Sequence, residues 1–241
     1  MTLTPPGLSN LLGLGVRGWG AAMLAGALMT LAVAACGFVV GAVMGIFAAW
    51  AKIGGGRIAC RIADVYTTVL RGIPDLLIIY LLYFGGSSVL TPIGHLLGAS
   101  GFITLPGFLA GSLAMGVVSG AYHTEVFRGA YRAVSRGELE AAEAVGMSGL
   151  LKFRRILAPL TLRHALPGLG NIWQLVLKES ALVSVTGVVE LLRQAQIGAG
   201  STRQPFDFFI AAALLYLAIT SFSSVALTRV ERRLDRGIRR V

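Results

Sequence analysis

Two stretches of the sequence, residues 18–51 and 208–228, contain no Asp, Glu, Lys or Arg, and this narrows the possible folds more than any other feature. An apolar run of roughly 20 residues or more crosses the hydrocarbon core of a bilayer as a helix. In lipid, every backbone N–H and C=O must find its partner within its own segment. Composition points the same way, since 55% of the 241 residues are hydrophobic, 13% are charged and the mean hydropathy is +0.76. The 32 glycines would each cost about 1 kcal/mol relative to alanine in a water-soluble helix. In a bilayer they let helices pack closely.

Three further segments are apolar enough to insert although each carries charges, giving an all-α integral membrane chain with five transmembrane helices. The expected spans lie at about 19–51, 62–85, 104–130, 163–189 and 207–229, within one transmembrane domain covering 1–241. The first run exceeds a 30 Å core at about 1.5 Å per residue, so it is expected to tilt or to begin at the interface. The opening MTLTPPGLSN carries no basic residue and no small-residue cleavage site, so no removable signal is expected.

Lysine and arginine in short loops stay on the cytoplasmic side. Lys52, Arg57 and Arg61 follow the first span, Arg128, Arg132, Arg136, Lys152, Arg154, Arg155 and Arg163 follow the third, and Arg229, Arg232, Arg233, Arg236, Arg239 and Arg240 follow the fifth. With five spans all three groups share one side, which places the N terminus outside and the C terminus in the cytoplasm. The net charge of +10 is therefore clustered in loops rather than laid out as a phosphate-binding face, and no nucleic-acid partner is expected. Cys36 falls inside an apolar run and Cys60 between basic residues, so a structural disulfide is not expected.

Gly37, Gly41 and Gly45 recur every four residues in the first span, and Gly116 and Gly120 do so in the third. This is either a close helix contact or the chance spacing of a glycine-rich apolar sequence. Between the third and fourth spans, residues 136–160 place Leu139, Ala142, Gly146, Leu150 and Phe153 at helical spacing with charges opposite. Gly146 and Gly149 suit a turn between two short helices, and Pro159 is expected to limit the second. Such a segment is either a connector on the membrane surface or a piece that docks into a soluble partner.

This segment resembles the cytoplasmic loop of type I ATP-binding-cassette (ABC) importer permeases, which reads E-A-A, three residues, G, nine residues, I-x-L-P. Glu140, Ala141, Ala142, Gly146, Ile156 and Pro159 fall on that pattern, with Ala158 where the family usually has leucine. Longer segments, "VYTTVLRGIPDLLIIYLLYFG", "SGAYHTEVFRGAYRAV" and "LPGLGNIWQLVLKESALVSVTG", are similar to the polar amino-acid branch. "GAYHTEVFRGA" and "ALPGLGN" look like its histidine/lysine/arginine/ornithine and opine permeases. The resemblance implies a MetI-like fold whose loop forms coupling helices that insert into a cytoplasmic ABC ATPase dimer. It further implies a second permease subunit, identical or homologous, an extracytoplasmic solute-binding protein and residence in the cell inner membrane. ATP and magnesium would be bound by the partner ATPase, with no cofactor in this chain.

Ionisable residues inside spans are costly and commonly face an interior path. Arg71 and Asp75, four apart with Pro74 between them, are read either as a pair bracing helices or as solute contacts. Tyr122, Glu125 and Arg128 share one face of the third span; Glu125 is suited to a cationic side chain or an α-amino group, or else pairs with Arg128. The resemblance places Lys178 and Ser180 at a polar break written L-K-x-x-S-L, here LKESAL. Glu179 within it favours a cationic solute if it faces the cavity and is only a brace if it faces Lys178 or another helix. His95, His123 and His164 form no metal-ligand spacing, and no metal site is expected.

The expected function is a permease subunit that moves a polar, basic amino acid or opine inward by alternating access. No G-x-x-x-x-G-K-[ST] phosphate loop occurs in the chain, so energy is expected from a separate ATPase and the chain itself is not read as an enzyme. An ion-coupled secondary transporter using Asp75 or Glu125 is the alternative, but no internal repeat supports it. An intramembrane enzyme built on Tyr122, His123 and Glu125 lacks H-E-x-x-H and an activated nucleophile.

Overall fold

The computed structural model describes residue 13 and residues 18–234, except 97, 99, 102 and 103. The tail arginines 236, 239 and 240, and the placement of residues 1–12, lie outside the described residues. The elements in chain order are helical. Helix α1 (Gly20–Gly54) is followed by α2 (Arg57–Gly72) and α3 (Asp75–Tyr80), which runs through a π-helical turn (Leu81–Gly85) into α4 (Gly86–Leu96). Then come α5 (Gly107–Ala133), α6 (Arg136–Ala144) and α7 (Gly149–Lys152), which passes through a second π turn (Phe153–Leu157) into α8 (Ala158–Glu179). A 3₁₀ segment (Ser180–Thr186), α9 (Leu191–Thr202) and α10 (Pro205–Leu234) complete the chain.

Three segments are long and apolar enough to cross a membrane: Gly20–Gly54, Asp75–Ile93 and Pro205–Arg233. Helices α5 and α8 have 27 and 22 residues, about 40 and 33 Å at the α-helical rise. Their sequences are more polar, and α5 lies at the centre of the bundle with Ala114, Met115, Val118 and Ala121 buried.

Helix α1 packs along α5 through the spaced glycines. A Cβ on Gly37 would lie 2.8 Å from the Met115 Cβ, one on Gly41 would overlap Ser119 Oγ, and one on Gly45 would overlap the His123 Cβ. From the other side, a Cβ on Gly116 would overlap Val40 and one on Gly120 would overlap the Tyr66 hydroxyl. The glycine spacing is thus a helix contact in which small residues let backbones approach. Val33, Ala34, Ile79, Met115, Val176 and Leu177 build the core beside this seam. Met23, Leu191, Phe208 and Ala212 build a second core that ties α1 to α9 and α10.

Two expected spans are interrupted. The bend expected at Pro74 within 62–85 is a full break: α2 ends at Gly72, Ile73 has φ −102° and ψ 140°, and the apolar helix starts at Asp75 and runs beyond residue 85. Proline pushes the residue before it out of the helical region, and its own missing N–H prevents a continuous ladder. The span expected over 163–189 is helical from residue 158 but tightens to 3₁₀ after Glu179, and Gly187 stops it with φ 85°. Only glycine adopts that conformation without a Cβ penalty. Pro159 does not end the second arm of the hairpin as expected. It stands at the second position of α8, just after the π turn, where a missing N–H is tolerated.

Candidate functional site

The break at Ile73–Pro74 decides the geometry of the charged residues. Arg71 closes α2 and Asp75 opens α3, so the two do not share a helical face, and among the described residues no ion pair joins them. Arg71 instead lies over the ring of Tyr122 on α5, its guanidinium carbon 5.6 Å from the centroid. A cation above an aromatic face is attracted by the ring quadrupole. Asp75 turns toward the end of α8, where its carboxyl group is within hydrogen-bonding reach of Glu179. Both carboxyl groups lie near Tyr122, as Arg71 does. Residues expected on three separate spans, Arg71, Asp75, Tyr122 and Glu179, therefore converge at the helix break.

Below Tyr122, a cavity of about 350 Å³ is lined by Arg71, Tyr122, Glu125, Asn171, Ile172 and Leu175, among others. Glu125 borders it, but its oxygens are engaged: Lys52 Nζ donates to Oε1 at 2.7 Å and Arg128 donates to Oε2. Lys178 is exposed and makes no ion pair with Glu179. Ser180 is fully buried, its hydroxyl donating to the Leu177 carbonyl at 2.8 Å.

Sequence reasoning missed the centre of the ionic cluster. Lys52 was read as one of the loop cations, yet its side chain is only 5% exposed. Its ammonium donates to Thr67 Oγ1 at 2.6 Å and pairs with Asp64 at 2.9 Å as well as with Glu125. One lysine so joins the end of α1 to α2 and α5. The available signal was the spacing of Asp64 and Thr67, one turn apart on a helix that begins three residues after α1 ends. A second buried carboxylate, Glu190, caps α9, accepting from Leu192 N at 2.8 Å and Arg193 N at 2.7 Å. Tyr216 Oη and Thr30 Oγ1 also donate to it. His123 is buried with Nδ1 2.8 Å from the Ser119 carbonyl and its ring 4.7 Å from Phe38, a packed residue of the core.

The hairpin between α5 and α8 has the geometry its sequence spacing needs. Gly146, at φ 76°, terminates α6, with its N–H donating to Glu143 O and the Met147 N–H to Ala142 O. This is the paired arrangement by which a left-handed residue satisfies the last carbonyls of a helix. Ala142 faces inward and is buried, whereas Glu140, Ala141 and Pro159 are exposed and Ile156 is half-buried. A Glu143–Lys152 ion pair ties the two arms together. Val145 and Leu150 stand 73% and 78% exposed at the tip, an apolar end on an otherwise charged hairpin.

The family described as "Binding-protein-dependent transport system inner membrane component" matches residues 41–238. The chain belongs to that family, the permeases of ABC importers. Among curated proteins it is 54% identical to the octopine transport system permease protein OccQ of Rhizobium meliloti, covering 97% of this chain and 99% of that one. It is 46% identical to the nopaline permease NocQ of Agrobacterium fabrum, covering 95% and 98%. It is 39% identical to the histidine/lysine/arginine/ornithine permease HisQ of Escherichia coli, covering 92% and 97%. Among solved structures, an amino acid ABC transporter crystallised with histidines superposes with a TM-score of 0.76 at 33% identity, over 89% of this chain and 95% of that one. The inward-facing MetNI methionine transporter, at 18% identity and a TM-score of 0.64 over 90% and 96%, shares the fold.

Proposed function

We propose that the chain is one of two permease subunits of an ATP-driven importer in the cell inner membrane, carrying a cationic amino acid or an opine into the cytoplasm. The chain crosses five times, with α1, the α3–α4 segment, α5, α8 and α10 as spans, the N terminus outside and the C terminus in the cytoplasm. The 136–160 hairpin engages a separate ABC ATPase dimer, which binds the ATP and magnesium, and an extracytoplasmic binding protein delivers the solute. Support for the topology comes from the clustering of arginine and lysine around the hairpin and beyond α10.

The observation that carries the choice of solute is the approach of Asp75 to Glu179 beside the Tyr122 ring. Two carboxyl groups and an aromatic face, held at a break in the backbone, suit a guanidinium or ammonium group, and a charge-assisted hydrogen bond of that kind is worth about 1.5–3 kcal/mol. The names of the octopine, nopaline and histidine/lysine/arginine/ornithine relatives support the same class.

The test is reconstitution of both permeases with the ATPase and binding protein, followed by uptake of labelled arginine, histidine and octopine with and without ATP. Uptake should require ATP, and Glu179→Gln should lower arginine uptake by roughly tenfold to a hundredfold, the size of one lost charge-assisted contact. Accumulation without ATP refutes the importer reading, and undiminished uptake by Glu179→Gln refutes the solute site.

A further inference from the structure

At the hairpin end of the bundle, on the far side of α5 from the solute residues, lies a groove of about 520 Å³. Phe47 and Trp50 of α1, Phe127 and Tyr131 of α5, and Phe153 and Leu162 beside the second π turn form its walls. At about 100° per residue, Phe127 and Tyr131 stand roughly 140° and 180° around α5 from Tyr122, so the groove faces away from the pathway. Trp50 is 70% exposed in it.

The lining is mostly carbon, its polar groups being the Trp50 indole N–H and the Tyr131 and Thr161 hydroxyls, and among the described residues the buried Thr161 hydroxyl has no hydrogen-bond partner. An isolated hydroxyl in apolar surroundings requires an acceptor. Arginines adjoin the walls in sequence: Arg132 follows Tyr131, and Arg154 and Arg155 follow Phe153 on the π turn. All three are exposed, and none is in an ion pair among the described residues.

We propose that this groove is a binding site for an anionic phospholipid of the surrounding membrane. One acyl chain lies along Phe47, Trp50 and Phe127, an ester carbonyl accepts from Thr161, and the phosphate meets Arg132, Arg154 and Arg155. Carbon walls match an acyl chain, tryptophan and tyrosine belong at the headgroup level, and basic pockets between helices on this side attract lipid phosphates. A helix of a second permease would fill the apolar part but would leave the arginines without a counter-charge. Because the π turn is one wall, a bound lipid also supports the arm through which the hairpin joins α8.

The site is tested on the assembled transporter, with both permeases and the ATPase, equilibrated in detergent with equal amounts of phosphatidylglycerol and phosphatidylcholine. Lipid retained per complex is counted by mass spectrometry. At about fivefold per arginine near an anionic headgroup, three arginines predict a preference for phosphatidylglycerol on the order of a hundredfold. The Arg132→Gln, Arg154→Gln, Arg155→Gln variant should retain the two lipids equally. Ala158→Phe, which fills the groove and leaves the arginines in place, should lower retention of phosphatidylglycerol. Equal retention of both lipids by the unaltered complex overturns the proposal, and this measurement depends on no substitution. Near-complete cross-linking of a Trp50→Cys variant to the second permease overturns it as well, because protein then occupies the groove.

Discussion

Alanine at Gly41 separates packing from helix propensity. The added Cβ would overlap Ser119 Oγ and lie 3.1 Å from both Gly116 O and Gly120 N. The serine hydroxyl can rotate away, but the other two atoms are backbone of α5, so relief requires the helices to part. Overpacking of this kind costs about 1–3 kcal/mol, and parting the seam also weakens the Ser119 hydroxyl bond to Gly37 O, now 3.3 Å. Gly129 on the same helix α5 is the comparison, since a Cβ there would meet nothing within 4 Å, and alanine gains up to about 1 kcal/mol in helix propensity. For a chain of this length, 1 kcal/mol moves the melting temperature by about 2–4 °C. Gly41→Ala gains the same propensity but loses about 2 kcal/mol to overpacking, so it should melt roughly 3 °C lower than the parent, and Gly129→Ala at or slightly above it. The assay is thermal unfolding of the purified chain in detergent, followed by helical circular dichroism. If the two variants melt together, the α1–α5 contact is not the close approach that the geometry requires.

Lys52→Met should destabilise the chain by about 2 kcal/mol in the same assay, less than the 3–5 kcal/mol of a fully buried pair because Arg128 still meets Glu125. Adding Glu125→Gln should recover part of the loss, and strict additivity of the two changes would remove the case for coupling. Gly146→Val should abolish solute-stimulated ATP hydrolysis in the assembled transporter while leaving the chain in the membrane. The left-handed backbone at φ 76° costs a β-branched residue about 1–2 kcal/mol, and unchanged hydrolysis would reject the docking role of the hairpin.

The long uncharged runs announced α1 and α10, because length and hydropathy are properties of a segment by itself. The hairpin was legible for a similar reason: Gly146 is fixed by local backbone geometry and lies at a set distance from the residues whose carbonyls it closes. The glycine seam needed the structure only to choose between contact and coincidence. What the sequence did not disclose was pairing across helices. Arg71 and Asp75 are neighbours at helical spacing, yet a two-residue extended break sends one to Tyr122 and the other toward Glu179. Lys52 looked like an interfacial cation because its partners Asp64 and Glu125 are 12 and 73 residues away. The same holds for Ser180, whose role inside the 3₁₀ segment depends on where α8 stops.

Glu190 has a mechanical consequence. Its two oxygens hold the first amides of α9, the Tyr216 hydroxyl of the last helix and the Thr30 hydroxyl of the first. To slide any one of these past the others would strand a buried carboxyl group without its donors, so Glu190 ties the first and last helices and the short crossbar between them together. Any swing of the remaining helices during transport must then be taken up elsewhere, and Ile73–Pro74 is a place where two helices are joined by extended backbone instead of a continuous ladder.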